Sequence, residues 1–260
     1  MKVVKYSLVF LFFLFVFSVL PTVQGQERYV MNLQGYNEQP YHFGFILGGN
    51  QMLFDLKTID NLSSKVWTTD QLPDFNAHSA QVYSVTVQGA PGFSVGILGN
   101  LLLNKYVDLR FIPTLSFGSR SLQYKIRAQG LNGGNIDSTI IITKQLNSTY
   151  LTFPLIFKYR SWRQNNVGGY FLGGASLSID MAAAKQSKLN DNIGIIKLHP
   201  HDLSLQAGAG FDFYNKYFKL GIEAKMIYGL KNLIIRENDI YSGSISQLHS
   251  KIFMLTFTFE

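Results

Sequence analysis

Residues 211–220 read Phe-Asp-Phe-Tyr-Asn-Lys-Tyr-Phe-Lys-Leu. Two alternating stretches flank an Asn215-Lys216 turn, which sends the apolar side chains to one face of a hairpin and Asp212 and Lys219 to the other. The same period-2 pattern recurs along nearly the whole chain, and aromatic residues crowd its tight turns. Soluble sheets alternate too, but this combination fits a closed sheet that is apolar towards lipid and charged towards its own lumen.

The N-terminus supports delivery to a membrane. Lys2 and Lys5 precede a run from Leu8 to Leu20 that only Ser18 interrupts, and Val23-Gln24-Gly25 offers a cleavage site before Gln26. This pattern predicts a signal peptide over residues 1–25, because the run is shorter than the roughly 20 residues of a spanning helix. A periplasmic segment over 26–40 and a barrel over 41–260 are expected to follow. No later stretch is apolar enough for a transmembrane helix. The chain has no cysteine, which removes disulfides, thiolate metal sites, thiol nucleophiles and a lipidated cysteine. The net charge of +7 comes from scattered Lys and Arg rather than a basic stripe. It suits lipid head groups better than nucleic acid.

Eight strands follow from the alternation. The first covers about 41–55, with Phe43, Phe45 and Leu47 on one face. The second covers about 82–103, where Tyr83, Val85, Val87, Phe93, Val95, Ile97, Leu101 and Leu103 are expected to share a face. The third sets Val107, Leu109, Phe111, Leu115 and Phe117 against Asp108, Arg110, Thr114 and Ser116; the fourth ends on Leu151, Phe153, Leu155, Phe157 and Tyr159. Phe171, Ala175 and Leu177 mark the fifth, Leu203, Leu205 and Phe211 the sixth, Leu220, Ile222 and Ala224 the seventh, and Phe253, Leu255 and Phe257 the eighth. Beyond Gly118 the apolar phase moves to Leu122, Tyr124 and Ile126, and Ile140 and Ile142 share it, which predicts paired bulges where this hairpin leaves the membrane. Pro113 and Pro154 fall inside strands and are expected at bulges.

Connections alternate between short (104–105, 162–166, 215–216) and long (56–80, 128–136, 184–197, 231–247), as in a barrel with tight periplasmic turns and longer outer loops. Tyr41, Tyr106, Tyr159, Trp162, Tyr214 and Tyr217 gather at the short turns and form an expected periplasmic aromatic belt. The predicted fold is therefore all-β, an eight-stranded antiparallel transmembrane barrel. Its lumen carries Asp108, Arg110, Lys158, Arg160, Asp180, Asp212, Lys219, Glu223 and Lys225. Eight strands leave room only for side chains, so these charges are expected to form a salt-bridged plug rather than a channel.

Catalytic and metal chemistry have weaker claims. His78, His201 and His249, with Ser79, Asp202 and Ser250 beside them, fall near the outer loops, where a lipid-modifying enzyme would place a base. His199 and His201 could offer two imidazoles to a metal, although a loop histidine pair is more often solvated. No phosphate loop, zinc helix or nucleophile elbow is present. No enzyme activity, cofactor, metal or small-molecule substrate is expected.

Several segments carry a family resemblance. They are Tyr41-His42-Phe43-Gly44-Phe45, Pro91-Gly92-Phe93-Ser94-Val95-Gly96, Leu109-Arg110-Phe111-Ile112-Pro113, Leu151-Thr152-Phe153-Pro154-Leu155, and Gly208-Ala209-Gly210-Phe211-Asp212-Phe213-Tyr214, with a terminal Phe-Thr-Phe-Glu. Together they resemble the PorT (SprT) family of Bacteroidetes outer-membrane proteins. The resemblance implies a component of the type IX secretion system, which exports proteins bearing a C-terminal sorting domain and in some species serves gliding motility. It brings no catalytic residues with it. Expected partners are outer-membrane lipid and other secretion proteins, with Trp67, Pro73 and Phe75 of the first long loop as contact residues. A generic adhesion or envelope-integrity barrel is the alternative. Glu260 departs from the terminal Phe of many barrels, which would leave Phe259 as the aromatic read by the insertion machinery.

Overall fold

The computed structural model describes residues 30–130, 137–186 and 194–260. The expected signal peptide and residues 26–29 lie outside the described residues. Eleven strands form one sheet: β1 (Tyr41–Thr58), β2 (Val66–Thr68), β3 (Ser79–Gly89), β4 (Pro91–Asn104), β5 (Val107–Phe111), β6 (Thr114–Gln129), β7 (Ser138–Arg160), β8 (Val167–Asp180), β9 (His201–Tyr214), β10 (Lys219–Gly229) and β11 (Ile245–Phe259). A short helix, α1 (Met181–Gln186), follows β8.

The sheet closes on itself. β1 pairs with β11 on one side and with β4 on the other, from Tyr41↔Leu101 to Gln51↔Pro91. β3 with β4, and β5 with β6, are single wall strands interrupted at Ala90 and at Ile112-Pro113. The wall therefore has eight positions, all joined antiparallel. Phe43, Phe45, Phe111, Phe157, Phe171, Leu205, Phe211 and Leu255 are exposed on its outer face, while the charged partners of the alternation are buried inside.

The expected bulges beyond Gly118 are absent. β6 and β7 stay in register without a shift from Thr114↔Thr152 to Ala128↔Ser138. The same parity points inward throughout, and the filling changes instead. Ser116 and Arg120 are followed by Leu122, Tyr124, Ile126 and Ala128, all buried. These meet Trp67, Leu72, Ile196, Leu198, Leu233, Ile240 and Tyr241 from the long connections in one apolar cluster. Lys125, Arg127 and Gln129 face outward on the same stretch. Above Arg120 the wall is thus polar outside and apolar inside, the arrangement water selects.

A shift does occur on β3, between Val82 and Ser84. It breaks the expected common face: Tyr83 is exposed, while Val85 and Val87 turn inward and pack against the apolar cluster. One extra residue reverses the parity through Gly89; a second shift at Ala90 restores it, so Phe93, Val95 and Ile97 face outward as expected.

The prolines are not at bulges. Phe111↔Leu155 and Thr114↔Thr152 flank a gap in the ladder that keeps its register. Ile112 and Pro113 therefore stand opposite Pro154 and Phe153. The Pro113 carbonyl accepts from Ile97 N–H at 3.1 Å, on the β4 side, so Ile112 turns towards Pro154, which has no N–H to donate. The Ile112 carbonyl instead accepts from the Thr114 hydroxyl at 2.7 Å. Thr114→Val should strand that carbonyl and cost about 1–3 kcal/mol, read from the urea midpoint in detergent micelles.

Candidate functional site: the filled lumen

Every cation predicted for the lumen meets an acid there. Arg110 Nη1 of β5 bonds Glu223 of β10, four wall positions away in a ring of eight, so the guanidinium crosses the barrel. Glu223 also holds Lys225 at 3.1 Å and accepts from the Tyr170 hydroxyl at 3.0 Å. Lys158 reaches Asp212 at 2.6 Å, and Arg160 reaches Asp108 at 2.9 Å. Burial of these ions is tolerable because each has an opposite charge in contact. Tyr170 adds its ring under the Lys158 ammonium, 3.8 Å from the centroid. A Cβ on Gly210 would approach that ring to 2.6 Å, so the ring needs glycine there.

Two further members of the network lie outside the predicted lumen set, although both keep the inward parity of their strands. Glu260, at the end of β11, turns inward and bonds Arg110 at 3.2 Å and Lys219 at 2.7 Å. Arg120 sits higher, where its guanidinium donates to Ser148 and Tyr150 at 2.8 Å each and to Ser250 at 3.1 Å, and lies 3.8 Å from Asp180. Parity could have placed Arg120 inside, since Thr114 and Ser116 share it. Between the two charged levels Asn50, Ser94 and Ser116 form one hydrogen-bonded chain, and Ser176, Ser204 and Gln206 another. A cavity against Ser116 and Gln206 is about 10 Å³, room for one water at most.

The short-turn mouth is closed by residues 31–40, which run across it as a strap. Asn32 N–H donates to Asn166 Oδ1 at 2.9 Å, and Asn37 Nδ2 donates to the Tyr214 hydroxyl at 2.8 Å. Arg163 donates to the carbonyls of Asn32 and Leu33 while lying 3.8 Å over the Tyr214 ring. Tyr36 stacks on His42 at 4.1 Å; burial pushes its hydroxyl up to about 12, so it stays neutral. A cavity of about 510 Å³ opens between the strap and the turns, against Leu102, Tyr106 and Trp162.

The strap yields a direct expectation. The chain has no cysteine, so His42→Cys places a single thiol beneath Tyr36. Adding Arg163→Ala should speed maleimide labelling of that thiol by about tenfold for each ~1.4 kcal/mol of strap stability lost.

The match that decides the family covers residues 34–234, against a model described as an outer membrane protein beta-barrel domain. The chain belongs to this family. It is an integral outer-membrane barrel. No curated protein sequence matches it. Among solved structures it is similar to the outer membrane protein OprG from Pseudomonas aeruginosa, at 12% identity and a TM-score of 0.39 over 85% of this chain and 97% of that one. It is also similar to Neisserial surface protein A, at 11% identity and 0.37 over 85% and 98%. A third is the outer membrane protease OmpT from Escherichia coli, at 11% and 0.33 over 85% and 95%.

In this outer-membrane barrel Tyr41, Tyr106, Tyr159, Trp162 and Tyr217 are exposed at the short-turn end. Tyr214 does not join that belt. It is 3% exposed and points into the mouth, because it shares the parity of Asp212. Trp67 is likewise corrected: it is 1% exposed, in the apolar cluster above the ring, because β2 pairs Trp67 with Ala80 and turns the indole inward. Pro73 is half-buried, and Phe75 packs against the same cluster. None of the three offers a fully exposed contact surface.

The histidines stand apart. His78 is exposed at the start of β3, and His201 is exposed on the outer face of β9. His249 pairs across to Asp55 on β1 and stacks on Tyr228 at 6.0 Å. The ordered hydrogen bonds of the described residues join none of the three to another or to a serine. Asp202 points inward and accepts from Lys231 N–H. Among the described residues no group of three or more His, Cys, Asp or Glu is arranged to hold a metal.

Proposed function

We propose that this outer-membrane barrel is a non-enzymatic, PorT-like component of a type IX protein secretion system and acts through protein contacts. The observation that carries the reading is the filled lumen. Arg110 bonds Glu223 across the ring, the strap lies below, and the apolar cluster lies above. A barrel blocked at three levels has only its surfaces to work with, since eight strands leave no bore beyond their side chains. The resemblance of the segments around Tyr41, Pro91, Pro113, Pro154 and Gly208 supplies the secretion system and the Bacteroidetes source. With the short turns and strap in the periplasm, the long connections reach the outside, where a sorting-domain protein emerges.

Deleting the chain from its host should leave proteins with C-terminal sorting domains trapped in the envelope, and an Arg110→Met, Glu223→Leu variant that folds should restore export. Normal export by the deletion strain would overturn the reading in favour of an envelope-integrity or adhesion role.

A further inference from the structure

The lipid-facing wall is not uniform. Gly49 of β1 and Ala224 of β10 flank Leu255 of β11, and Ala207 of β9 stands opposite Met226 of β10. These small outward residues lie among the larger Met226, Phe253 and Leu255 and leave a groove of about 590 Å³ in the outer face. On an outer-membrane barrel that face meets lipid, so the groove is the depth and character of an acyl chain.

The groove ends where the wall changes character. One outward position beyond Phe253 is Lys251, which stands between Leu53 of β1 and Tyr228 of β10. Arg120 marks the level below which the wall faces lipid, and it donates to the Leu53 carbonyl at 3.5 Å. Lys251 is therefore at the membrane boundary. Its ammonium lies over the Phe253 ring, 5.4 Å from the centroid, at the head of the groove. It makes no ion pair among the described residues. Asp55, the next outward residue after Leu53, accepts from the Tyr228 hydroxyl at 2.8 Å instead. Lys57, exposed one outward position further on, offsets the charge of Asp55.

Charge and depth together select the occupant. An ammonium without an acid, placed at headgroup level over an acyl groove, matches a lipid that carries anionic phosphate. A zwitterionic lipid would bring its own ammonium to the same place. A second barrel packed groove to groove would bring two Lys251 ammoniums to one level.

We infer that the groove headed by Lys251 is a binding site for a phosphorylated, acylated glycolipid of the outer leaflet, the leaflet that the long connections adjoin. The inference uses the orientation of the barrel and not its part in secretion, so either can fail without the other.

The test uses the full chain in neutral-detergent micelles and purified lipid A bearing its sugar phosphates, with native mass spectrometry counting the lipids retained on each barrel. The barrel should retain the phosphorylated lipid in preference to its dephosphorylated form and to phosphatidylglycerol, and inorganic phosphate in excess should not displace it. Lys251→Gln should weaken retention about three- to tenfold, and Lys251→Arg should restore it. Ala224→Leu fills the groove from the lipid side and should weaken retention while Lys251 stays in place. Gel mobility of the folded barrel shows that all three variants fold. Equal retention of the dephosphorylated lipid, tighter binding of phosphatidylglycerol, displacement by inorganic phosphate, or parent-like retention by Lys251→Gln or Ala224→Leu overturns the proposal. A dimer that Ala224→Leu separates also overturns it, in favour of contact between copies.

Discussion

Replacing Glu223 with alanine is expected to cost the folded barrel about 3–5 kcal/mol, the largest effect of any single lumen substitution. The carboxylate serves Arg110, Lys225, the Tyr170 hydroxyl and, at 3.4 Å, the Thr256 hydroxyl. Without it Arg110 keeps only Glu260, and Lys225 is left buried with no acid beside it. Arg110→Ala should cost less, because Glu223 retains Lys225 and Glu260 retains Lys219. The combined change Glu223→Leu, Lys225→Met should be more stable than Glu223→Ala alone, since removing the lysine with its acid avoids the unpaired ion while Arg110 keeps Glu260. Urea unfolding in micelles, followed by tryptophan fluorescence and by gel mobility of the folded barrel, gives all three values. A Glu223→Ala midpoint equal to that of the parent would mean that the lumen is hydrated well enough to need no pairing.

Leu255→Arg should destabilise the barrel by about 2–4 kcal/mol in a bilayer, the cost of an arginine facing lipid near the midplane. Leu255 is exposed on β11 between Gly49 and Ala224, with Phe253 and Phe257 on either side along the strand. Thr86→Arg, on the exposed face of β3 beside Gln123, should change stability by no more than about 0.5 kcal/mol. Both positions are outward on the same wall, so their difference isolates the solvent each one meets. Equal penalties would contradict a membrane boundary below Arg120.

Alternation made the ring legible because side-chain direction in a strand has a period of two. Asp108, Arg110, Asp212 and Lys219 could be placed inside from their apolar neighbours alone. The reading failed where its assumption of one external solvent failed. Leu122, Tyr124 and Ile126 looked out of phase because apolar was equated with outward; the strand kept its phase and the surroundings changed. Val85 and Val87 failed for the opposite reason: a real bulge leaves no mark in the residue types around Tyr83. Nearness to a turn puts Tyr214 in the belt, but parity with Asp212 is the better guide. Trp67 looked like a contact residue because loops are usually solvated, but a connection that folds back into a barrel needs its own core. The strap was beyond pattern reading altogether. Arg163, Asn32 and Tyr214 are far apart in sequence, and no periodicity relates them.

The central claim is that the wall of this outer-membrane barrel faces lipid with its apolar parity and seals its charges inside, then reverses above Arg120. The most direct measurement is a single-cysteine spin-label scan of the full chain in lipid bilayers, which the absence of native cysteine permits. Labels at Phe111, Phe157, Leu205 and Phe257 should relax with oxygen dissolved in the bilayer, and labels at Thr86 and Thr143 with a water-soluble nickel complex. Nickel reaching Phe111 and Phe257 while oxygen dominates at Thr86 and Thr143 would contradict the account.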